Sequence, residues 1–400
     1  ARLSLGGSRI ISGKKAIQKI KNLKPNGLNG GVTYLDGQFD DARLALNLAQ
    51  TATEMGAVTL NHFKVNDILK NDDGKVNGVK VLDTESKEEI FVNAKVVINA
   101  TGVFANKILK LAGRKKKSLK VVPSQGIHLV LDKSFLDGET ALMVPKTSDG
   151  RVLFAIPWHN KVVVGTTDTQ VNKPSYEPKP LEEEIDFILE TAKQYFTKAP
   201  TRHDVKSVFA GLRPLVAPEG DKSNTKEISR GHKIIHSESG LITIVGGKWT
   251  TYREMSEDVV NDAIETHNLK KGPTKTKSLS IHGNISTNDK LGLNGVFWVY
   301  GSDAKQLIKF TETDASYKNK LHHNYEYTQG QVIWAARFEM ARTVEDVLAR
   351  RFRLLFLDAQ ASIDIAEKVA AILQKELSKT EDWKQNQIEE FTALAKGYLI

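Results

Sequence analysis

The sequence predicts an α/β protein with three parts: a Rossmann-like domain, a second domain built on an antiparallel sheet, and a C-terminal α-helical domain. An amphipathic helix followed by a strand, within residues 40–61, is typical of the first part. Short strands joined by turns, without helices between them, indicate the antiparallel sheet from residue 121 to residue 170. Helical spacing of apolar residues dominates after about residue 285. A chain of 400 residues also exceeds the size that one core usually fills.

The predicted Rossmann-like domain begins with the segment "FDDARLALNLAQTATEMGA". Its apolar residues recur at helical spacing between the N-cap candidates Asp40 and Asp41 and a stop at Gly56. A strand, "AVTLN", is predicted next, followed by a meander with Asp-Gly and Asn-Gly turns that ends in a buried strand at 96–99. This order of elements is typical of flavin-binding Rossmann-like domains.

The antiparallel sheet is predicted from "GIHLVLD", "RVLFAIPWH" and "KVVVGTTD". The segment "LEEEIDFILETAKQYF" then forms an amphipathic helix. The segment "GLITIVGGKWTTYREMSEDVV" returns to a strand and a helix, as if the chain re-enters the first domain. The last part contains "QGQVIWAARFEMARTVEDVLARRFRLLFLD" and "SIDIAEKVAAILQKELSKT", both with apolar residues three and four apart.

Composition restricts the chemistry that the chain can perform. The sequence contains no cysteine, which excludes disulfides, thiolate metal sites and a catalytic thiol and fits a cytosolic protein. No apolar run is long enough for a membrane-spanning helix, and the first residues do not resemble a signal peptide. The chemistry is therefore expected from His, Lys, Arg, carboxylates or a cofactor, and no metal site is predicted.

The formal net charge of +9 suggests an anionic partner. Candidates are nucleic acid, an acidic membrane surface and a phosphorylated small molecule. Nucleic acid is disfavoured because no aromatic-rich RNA-binding signature accompanies the basic residues. The tight basic run from Arg114 to Lys117 is expected to be a solvated turn, with contact to acidic lipid head groups as the alternative.

Small residues follow two predicted strands. Ala100, Thr101 and Gly102 come after "VVIN", at a strand end where open α/β folds bind ligands, although a strand-end glycine is often only a tight turn. Gly246 and Gly247 end "LITIVGG" and allow the main chain to approach a ligand closely. Together these strand ends are candidates for a flat or pyrophosphate-bearing ligand.

The helix after Gly247 has Thr250 or Thr251 as its predicted cap. The amides at a helix start stabilise negative charge, such as that at the pyrimidine edge of a reduced flavin. Lys248 would contact that edge or a substrate anion. The alternative is an ordinary strand-turn-helix with a solvated lysine.

Two further side chains are functional candidates. Arg213 lies in the apolar stretch "SVFAGLRPLV", and its guanidinium matches a phosphate or a carboxylate, with an internal salt bridge as the alternative. His128 lies on a strand between Ile127 and Leu129, where a histidine is either a core residue or a catalyst.

Several motifs together resemble one family in order and spacing. They are "GGVTYLDGQFDDARL", "VVINATGVFANKIL", "SQGIHLVLD", "FAIPWHNKVVVGTTDT", "FAGLRPLV", "GGKWTTYREMSEDVV" and "FEMARTVEDVLARRFRLLFLD". The chain thereby resembles the FAD-dependent glycerol-3-phosphate dehydrogenases from near residue 5 to its end.

The resemblance implies a glutathione-reductase-like FAD domain of the D-amino-acid-oxidase type. On that basis the FAD domain is expected at 36–120 and 205–270, the substrate domain at 1–35 and 121–204, and the helical domain at 285–400. It also implies oxidation of sn-glycerol 3-phosphate to dihydroxyacetone phosphate, with electrons passed to a membrane quinone. The enzyme would be cytoplasmic and peripheral on an anionic membrane surface, and a homodimer is compatible with this.

The resemblance also implies roles for individual residues. Arg213 and Lys248 match positions that face the substrate phosphate and the flavin, and His128 matches a candidate base for the C2 hydroxyl, with Arg213 as an alternative stabiliser of the alkoxide. The residues expected to contact FAD are Val65, Ala100, Thr101, Gly102, Gly246, Gly247, Lys248, Trp249, Thr250 and Thr251.

The sequence departs from the family pattern in one respect. A dinucleotide-binding domain should start with a strand and a G-x-G-x-x-G turn, which this sequence lacks, so the chain is expected to begin part-way through the family's domain. Three alternatives remain open: an oxidase that passes electrons to oxygen and releases peroxide, a relative that oxidises amines or amino acids, and a non-catalytic fragment or binding module.

Overall fold

A computed structural model describes residues 5–113, 119–145, 147, 150–218, 231–286 and 295–400. The predicted basic turn from Arg114 to Lys117 lies outside these residues.

The strands are β1 (Arg9–Ser12), β2 (Gly30–Thr33), β3 (Phe63–Lys70), β4 (Val76–Asp83), β5 (Glu89–Asn93), β6 (Ile98–Asn99), β7 (Leu119–Asp132), β8 (Leu142–Val144), β9 (Leu153–Trp158), β10 (Lys161–Gly165), β11 (Thr169–Gln170), β12 (Val205–Pro218), β13 (His232–His236), β14 (Ile242–Gly246), β15 (Lys320–His322) and β16 (Tyr325–Thr328). The α-helices are α1 (Gly13–Lys19), α2 (Asp41–Glu54), α3 (Ala105–Leu111), α4 (Glu182–Tyr195), α5 (Tyr252–Thr266), α6 (Ala304–Thr311), α7 (Gln329–Phe338), α8 (Leu354–Leu357), α9 (Ala359–Glu376) and α10 (Glu381–Lys396).

The predicted antiparallel sheet is present, with strand order β11-β7-β10-β9-β8. Strand β12 pairs with β7 along almost its whole length, which places Phe209 opposite His128 and Arg213 opposite Ser124. Because side chains alternate between the two faces of a strand, one face of β7 buries Ile127 and the other carries His128. The buried face packs against α1 and α4, both of which have apolar residues in the same core cluster.

The Rossmann-like part contains a parallel strand pair and a meander. Strand β14 runs parallel to β6, with Ile242 opposite Ile98, and β13 is antiparallel to β14 on its other side. The meander β3-β4-β5 forms a separate antiparallel sheet, as predicted. Helix α2 also begins as predicted, because the Asp40 carboxylate accepts a hydrogen bond of 2.9 Å from the backbone N–H of Arg43.

Two strand predictions need correction. The strand predicted at 96–99 is paired only at Ile98–Asn99. The strand predicted for "AVTLN" is wrong, since residues 57–60 form no regular secondary structure and both Val58 and Leu60 are exposed. A strand needs hydrogen bonds to a neighbouring strand, and none of the described residues provides them for this segment.

The chain after residue 295 is mostly helical, as predicted. Helices α7 to α10 enclose a core that contains Val332, Leu348, Leu355, Val369 and Leu373, each almost completely buried. None of the helices in the described part of the chain is both long and apolar enough to cross a membrane.

Candidate functional site

Arg213 and His128 lie on the same face of the antiparallel sheet. Residues 124, 126 and 128 lie on one face of β7 and residues 125, 127 and 129 on the other, and Arg213 lies opposite Ser124 on β12. A Cβ atom at Gly126 would lie 2.5 Å from Nη2 and 2.6 Å from Nη1 of Arg213. The guanidinium therefore rests directly on the main chain of β7, where only glycine leaves room for it.

The surroundings of the Arg213 head group are polar. Nη2 donates a hydrogen bond of 3.1 Å to Oγ1 of Thr166, and Nη1 lies 4.0 Å from Oδ1 of Asp168. The same Asp168 oxygen accepts a hydrogen bond from the Ser124 hydroxyl. Of the apolar residues around Arg213 in the sequence, Val208 and Ala210 belong to the opposite face of the strand, whereas Phe209 and Leu215 lie on the same face as Arg213.

Arg213 is also accessible to a ligand, since its side chain is 37% exposed. Its ion pair with Asp168, at 4.0 Å, is at the outer limit of distance for such a contact. Thr166, Asp168 and Ser124 were not identified as site residues from the sequence. The signal that could have found the first two is the polar turn "GTTDT", which directly follows a buried strand.

His128 is partly buried beside Arg213. Its ring stacks on Phe209 with a centroid separation of 5.2 Å, and its Cδ2 would lie 2.5 Å from a Cβ atom at Gly165. Burial, with the nearby positive charge of Arg213, lowers the pKa of His128 to about 4. The imidazole is therefore neutral at neutral pH and free to accept a proton, but a pKa of about 4 makes it a weaker base than an ordinary histidine.

The two predicted strand ends meet at one edge of the parallel pair. Because Thr243 lies opposite Asn99, the segment 100–102 runs beside the end of β14. Gly246 and Gly247 have φ values of 77° and 75°, in the left-handed region. A Cβ atom would lie 2.6 Å from the Gly231 carbonyl oxygen at the first position and would overlap the Met255 sulfur at the second, so a side chain at either fits poorly.

Asn99 organises this edge and was not identified from the sequence. Its side chain is almost fully buried, and its amide nitrogen donates to the Ala105 carbonyl at 3.1 Å and to Oγ1 of Thr243 at 3.2 Å. Its oxygen accepts a hydrogen bond of 2.7 Å from the Thr101 hydroxyl. An asparagine at the end of an apolar strand was the available signal, because a buried amide requires partners.

The segment from Lys248 to Thr251 forms a 3₁₀ turn before α5. Lys248 and Thr250 are exposed, and the Trp249 ring makes an edge contact with Phe39 at 6.3 Å. Thr251 occupies the predicted position before the helix, but its hydroxyl donates to the Lys248 carbonyl at 3.0 Å. The predicted side-chain cap is therefore absent, because the 3₁₀ turn directs this hydroxyl backwards along the chain.

Val65 lies on β3, away from the antiparallel sheet that carries Arg213. Its side chain packs against a cluster that contains Ile68, Leu109 and Leu241. That cluster joins the meander to α3 and to the residue just before β14. The role of Val65 in cofactor binding remains a prediction.

The two regions are connected through β12. A Cβ atom at Gly246 would lie 3.2 Å from Cγ2 of Val216, which follows Arg213 by three residues on that strand. At about 3.4 Å per residue, this separation is about 10 Å along the strand. At Gly211, a Cβ atom would meet no atom within 4 Å, so the surface of β12 beside Arg213 is open.

These features fit the flavin end of FAD. The small residues at the ends of β6 and β14 and the open main chain at Gly211 leave room for a flat ring, and the 3₁₀ turn presents the exposed cation Lys248 beside them. No cluster of three or more potential metal ligands occurs among residues 5–113, 119–145, 147, 150–218, 231–286 and 295–400.

Comparisons with known proteins identify two family models that together match most of the chain. The model described as FAD dependent oxidoreductase matches residues 1–253. The model described as the C-terminal domain of alpha-glycerophosphate oxidase matches residues 242–386.

Similar proteins cover almost the whole chain. The mitochondrial glycerol-3-phosphate dehydrogenase of Homo sapiens is 36% identical over 96% of this chain and 56% of its own length. The Schizosaccharomyces pombe protein of the same name is 32% identical over 99% of this chain and 69% of its own length. This chain thus spans about half the length of the mammalian relatives that it matches.

A similar solved structure is the glycerol-3-phosphate dehydrogenase of Bacillus halodurans complexed with FAD. It superposes with a TM-score of 0.83, at 29% sequence identity, over 98% of this chain and 80% of that chain. The predicted fold class and the predicted cofactor of the family, FAD, are therefore confirmed. The chain belongs to the FAD-dependent oxidoreductase family, within the group that contains the glycerol-3-phosphate dehydrogenases.

Proposed function

We propose that this chain carries the substrate-binding site of an enzyme that oxidises sn-glycerol 3-phosphate to dihydroxyacetone phosphate. The observation that carries the proposal is the location of Arg213 and His128 on the same face of one sheet. An arginine for a phosphate and a neutral base for an alcohol are the two groups that this substrate needs. The similarity to proteins named glycerol-3-phosphate dehydrogenase supports the same substrate.

Each side chain has a separate task in this proposal. Arg213 binds the substrate phosphate through two N–H groups, and Lys248 adds a second positive charge near the phosphate and the flavin. His128 accepts the proton of the C2 hydroxyl, which its neutral imidazole can do at neutral pH. When bound, FAD supplies the acceptor for the hydride that leaves C2.

The cofactor would be held mainly by main chain and small residues. We assign this role to the segments 100–102 and 246–251, which end the two parallel strands, and to Val65 on the meander. The left-handed glycines Gly246 and Gly247 support the assignment, because they allow close approach of the main chain to a ligand. We also propose the domain limits predicted from the sequence, with the FAD domain at 36–120 and 205–270.

We further propose that the electrons pass to a membrane quinone and that the enzyme attaches peripherally to an anionic membrane surface from the cytoplasmic side. The net charge of +9 supports attraction to such a surface. A homodimer is compatible with this arrangement. An oxidase that uses oxygen is the second candidate, because the model that matches the C-terminal part is described by an alpha-glycerophosphate oxidase.

An assay of the purified protein reconstituted with FAD tests the electron acceptor. Glycerol 3-phosphate is added with either a soluble quinone analogue or oxygen alone, and quinone reduction and peroxide release are measured. Quinone reduction without peroxide supports the quinone-linked enzyme, whereas stoichiometric peroxide supports the oxidase. No turnover with either acceptor would contradict the proposed activity.

A further inference from the structure

A buried carboxylate lies behind the Arg213 site. Glu184, on the first turn of α4, is only 3% exposed and accepts four hydrogen bonds. Its Oε1 accepts from the hydroxyls of Thr167 at 2.8 Å and Thr169 at 2.7 Å. Its Oε2 accepts from the side-chain amide of Gln125 at 2.8 Å and from the backbone N–H of Leu181 at 3.1 Å. A buried carboxylate with four donors is held in a single geometry.

Three of the four donors to Glu184 belong to the two segments that contact Arg213. Thr167 and Thr169 flank Asp168, whose carboxylate faces the Arg213 guanidinium. Thr167 also directly follows Thr166, whose hydroxyl accepts a hydrogen bond from that guanidinium. The Thr167 hydroxyl also accepts a hydrogen bond of 3.1 Å from the backbone N–H of Ile127 on β7. Glu184 thus connects the turn at 166–169 to β7 through side chains on the far face of the sheet.

The second connection runs through Gln125. This residue lies between Ser124, which donates to Asp168, and Gly126, on which the guanidinium of Arg213 rests. Its amide is held by Glu184 and by the Lys179 carbonyl at 2.9 Å. A shift of either segment would therefore move the atoms that orient the guanidinium.

We infer that Glu184 is a positioning residue for recognition of the substrate phosphate. It holds the 166–169 turn and β7 in one relative position, so that Thr166, Asp168 and Gly126 fix the direction of the Arg213 guanidinium. This inference rests on the proposed function, because it takes Arg213 as the phosphate ligand. The ligand class is a phosphate monoester, and Glu184 acts on it only through Arg213.

A purely local role would be a capping box, in which Glu184 stabilises only the start of α4. The hydrogen bond from the Leu181 N–H is of that type. The other three donors come from outside the helix, from β7 and the 166–169 turn. The two roles therefore predict different effects on phosphate affinity.

The substitution Glu184→Gln separates them in the protein reconstituted with FAD. An amide offers one acceptor oxygen, so its N–H₂ group would face either the Gln125 amide together with the Leu181 N–H or the two threonine hydroxyls. We expect the KM for glycerol 3-phosphate to rise about tenfold while kcat stays within about twofold, because substrate binding is weakened without loss of the base. Calorimetry should show the same rise in the Kd of dihydroxyacetone phosphate, which binds without turnover.

The matched control is Glu183→Gln, which removes an exposed carboxylate from the same helical turn. A lower Tm for Glu184→Gln with an unchanged KM and an unchanged product Kd would overturn the inference and leave only the helix cap. If Glu184→Gln does not fold, Thr169→Val removes a single donor and should raise the product Kd about threefold. An unchanged Kd in that variant would also overturn the inference.

The proposed function is tested separately by Arg213→Lys. A lysine loses the two-pronged contact, so the product Kd should rise at least tenfold. If Arg213→Lys leaves the Kd unchanged, the assignment of the phosphate site is wrong. If Arg213→Lys weakens binding and Glu184→Gln does not, only the positioning role is wrong.

Discussion

The guanidinium of Arg213 lies over the main chain of Gly126, at a distance that leaves no room for a Cβ atom at position 126. On the paired strands β12 and β7, Arg213 lies opposite Ser124, and Gly126 lies opposite Gly211. The arginine side chain therefore reaches from its own strand position to the main chain two residues along β7. The absence of a side chain at position 126 is therefore a requirement of the arginine's location and not only of the strand.

The substitution Gly126→Ala should consequently damage substrate binding more than folding. The clashing atoms are the guanidinium of Arg213, which is the far end of a flexible side chain, and Oγ1 of Thr166. The guanidinium can move away at little cost in stability, but its hydrogen bond to Thr166 is then lost. We expect the KM for glycerol 3-phosphate to rise about tenfold, with a Tm within a few degrees of the unaltered protein.

Gly272→Ala serves as the control, because a Cβ atom at that position would meet no atom within 4 Å. Steady-state kinetics and thermal unfolding of both variants provide the comparison. Equal KM values for Gly126→Ala and the control would show that the guanidinium does not need its present location.

Replacement of His128 distinguishes a catalytic base from a core residue. If His128 accepts the C2 hydroxyl proton, His128→Asn should lower kcat by a factor of about 100 or more and leave the product Kd nearly unchanged. If the ring only packs on Phe209, the variant should lose stability while kcat changes little. Measurement of kcat, product Kd and Tm on the same preparations decides between the two.

The lowered pKa of His128 also predicts how stability depends on pH. The pKa is about 4 in the folded protein and about 6.5 in an unfolded chain, so below pH 6.5 the unfolded state takes up the proton first. The stability that this difference in pKa contributes is fully present above pH 6.5 and is lost as the pH falls towards 4. Urea unfolding at pH 7 and pH 5 should show a smaller decrease for His128→Asn than for the unaltered protein, and equal decreases would contradict the lowered pKa.

A buried ion pair joins α2 to the helical part of the chain. Arg43 and Glu339 form an ion pair of 2.5 Å in which both side chains are almost fully buried, and the guanidinium lies 4.5 Å from the Tyr300 ring centroid. Glu339→Gln would leave a buried positive charge without its counter-ion. We expect a loss of about 3–5 kcal/mol in the free energy of unfolding.

The double variant Arg43→Met with Glu339→Gln provides the control for this charge effect. Removing the cation as well should recover part of the lost stability, because no unpaired charge is then buried. Chemical denaturation of the single and double variants measures both values. A loss below about 1 kcal/mol for Glu339→Gln would mean that water already screens the pair.

The elements that local pattern determines were predictable from the sequence. Period-3.6 spacing gave α4, and Asp40 marked the start of α2, where its carboxylate does accept the Arg43 N–H. The strand predicted at 57–60 was wrong because strand propensity is a local property, whereas a strand also requires a neighbouring strand with which to pair.

The site was less predictable because its geometry depends on strand register. His128 and Arg213 were singled out, but their location on one face follows only from the pairing of β7 with β12. Asn99, Thr166 and Asp168 were missed for a related reason. Their importance lies in hydrogen bonds to distant segments, such as that between Asn99 and Thr243, which no local spacing encodes.

We propose that this chain forms the substrate and flavin site of a glycerol 3-phosphate-oxidising flavoprotein. The most direct measurement is the anaerobic absorbance spectrum of the purified protein with FAD, recorded before and after addition of glycerol 3-phosphate. We expect glycerol 3-phosphate, and not glycerol, to bleach the flavin band, and we expect Arg213→Lys to slow the bleaching. A flavin band that glycerol 3-phosphate leaves unchanged, in protein shown to hold FAD, would contradict this proposal.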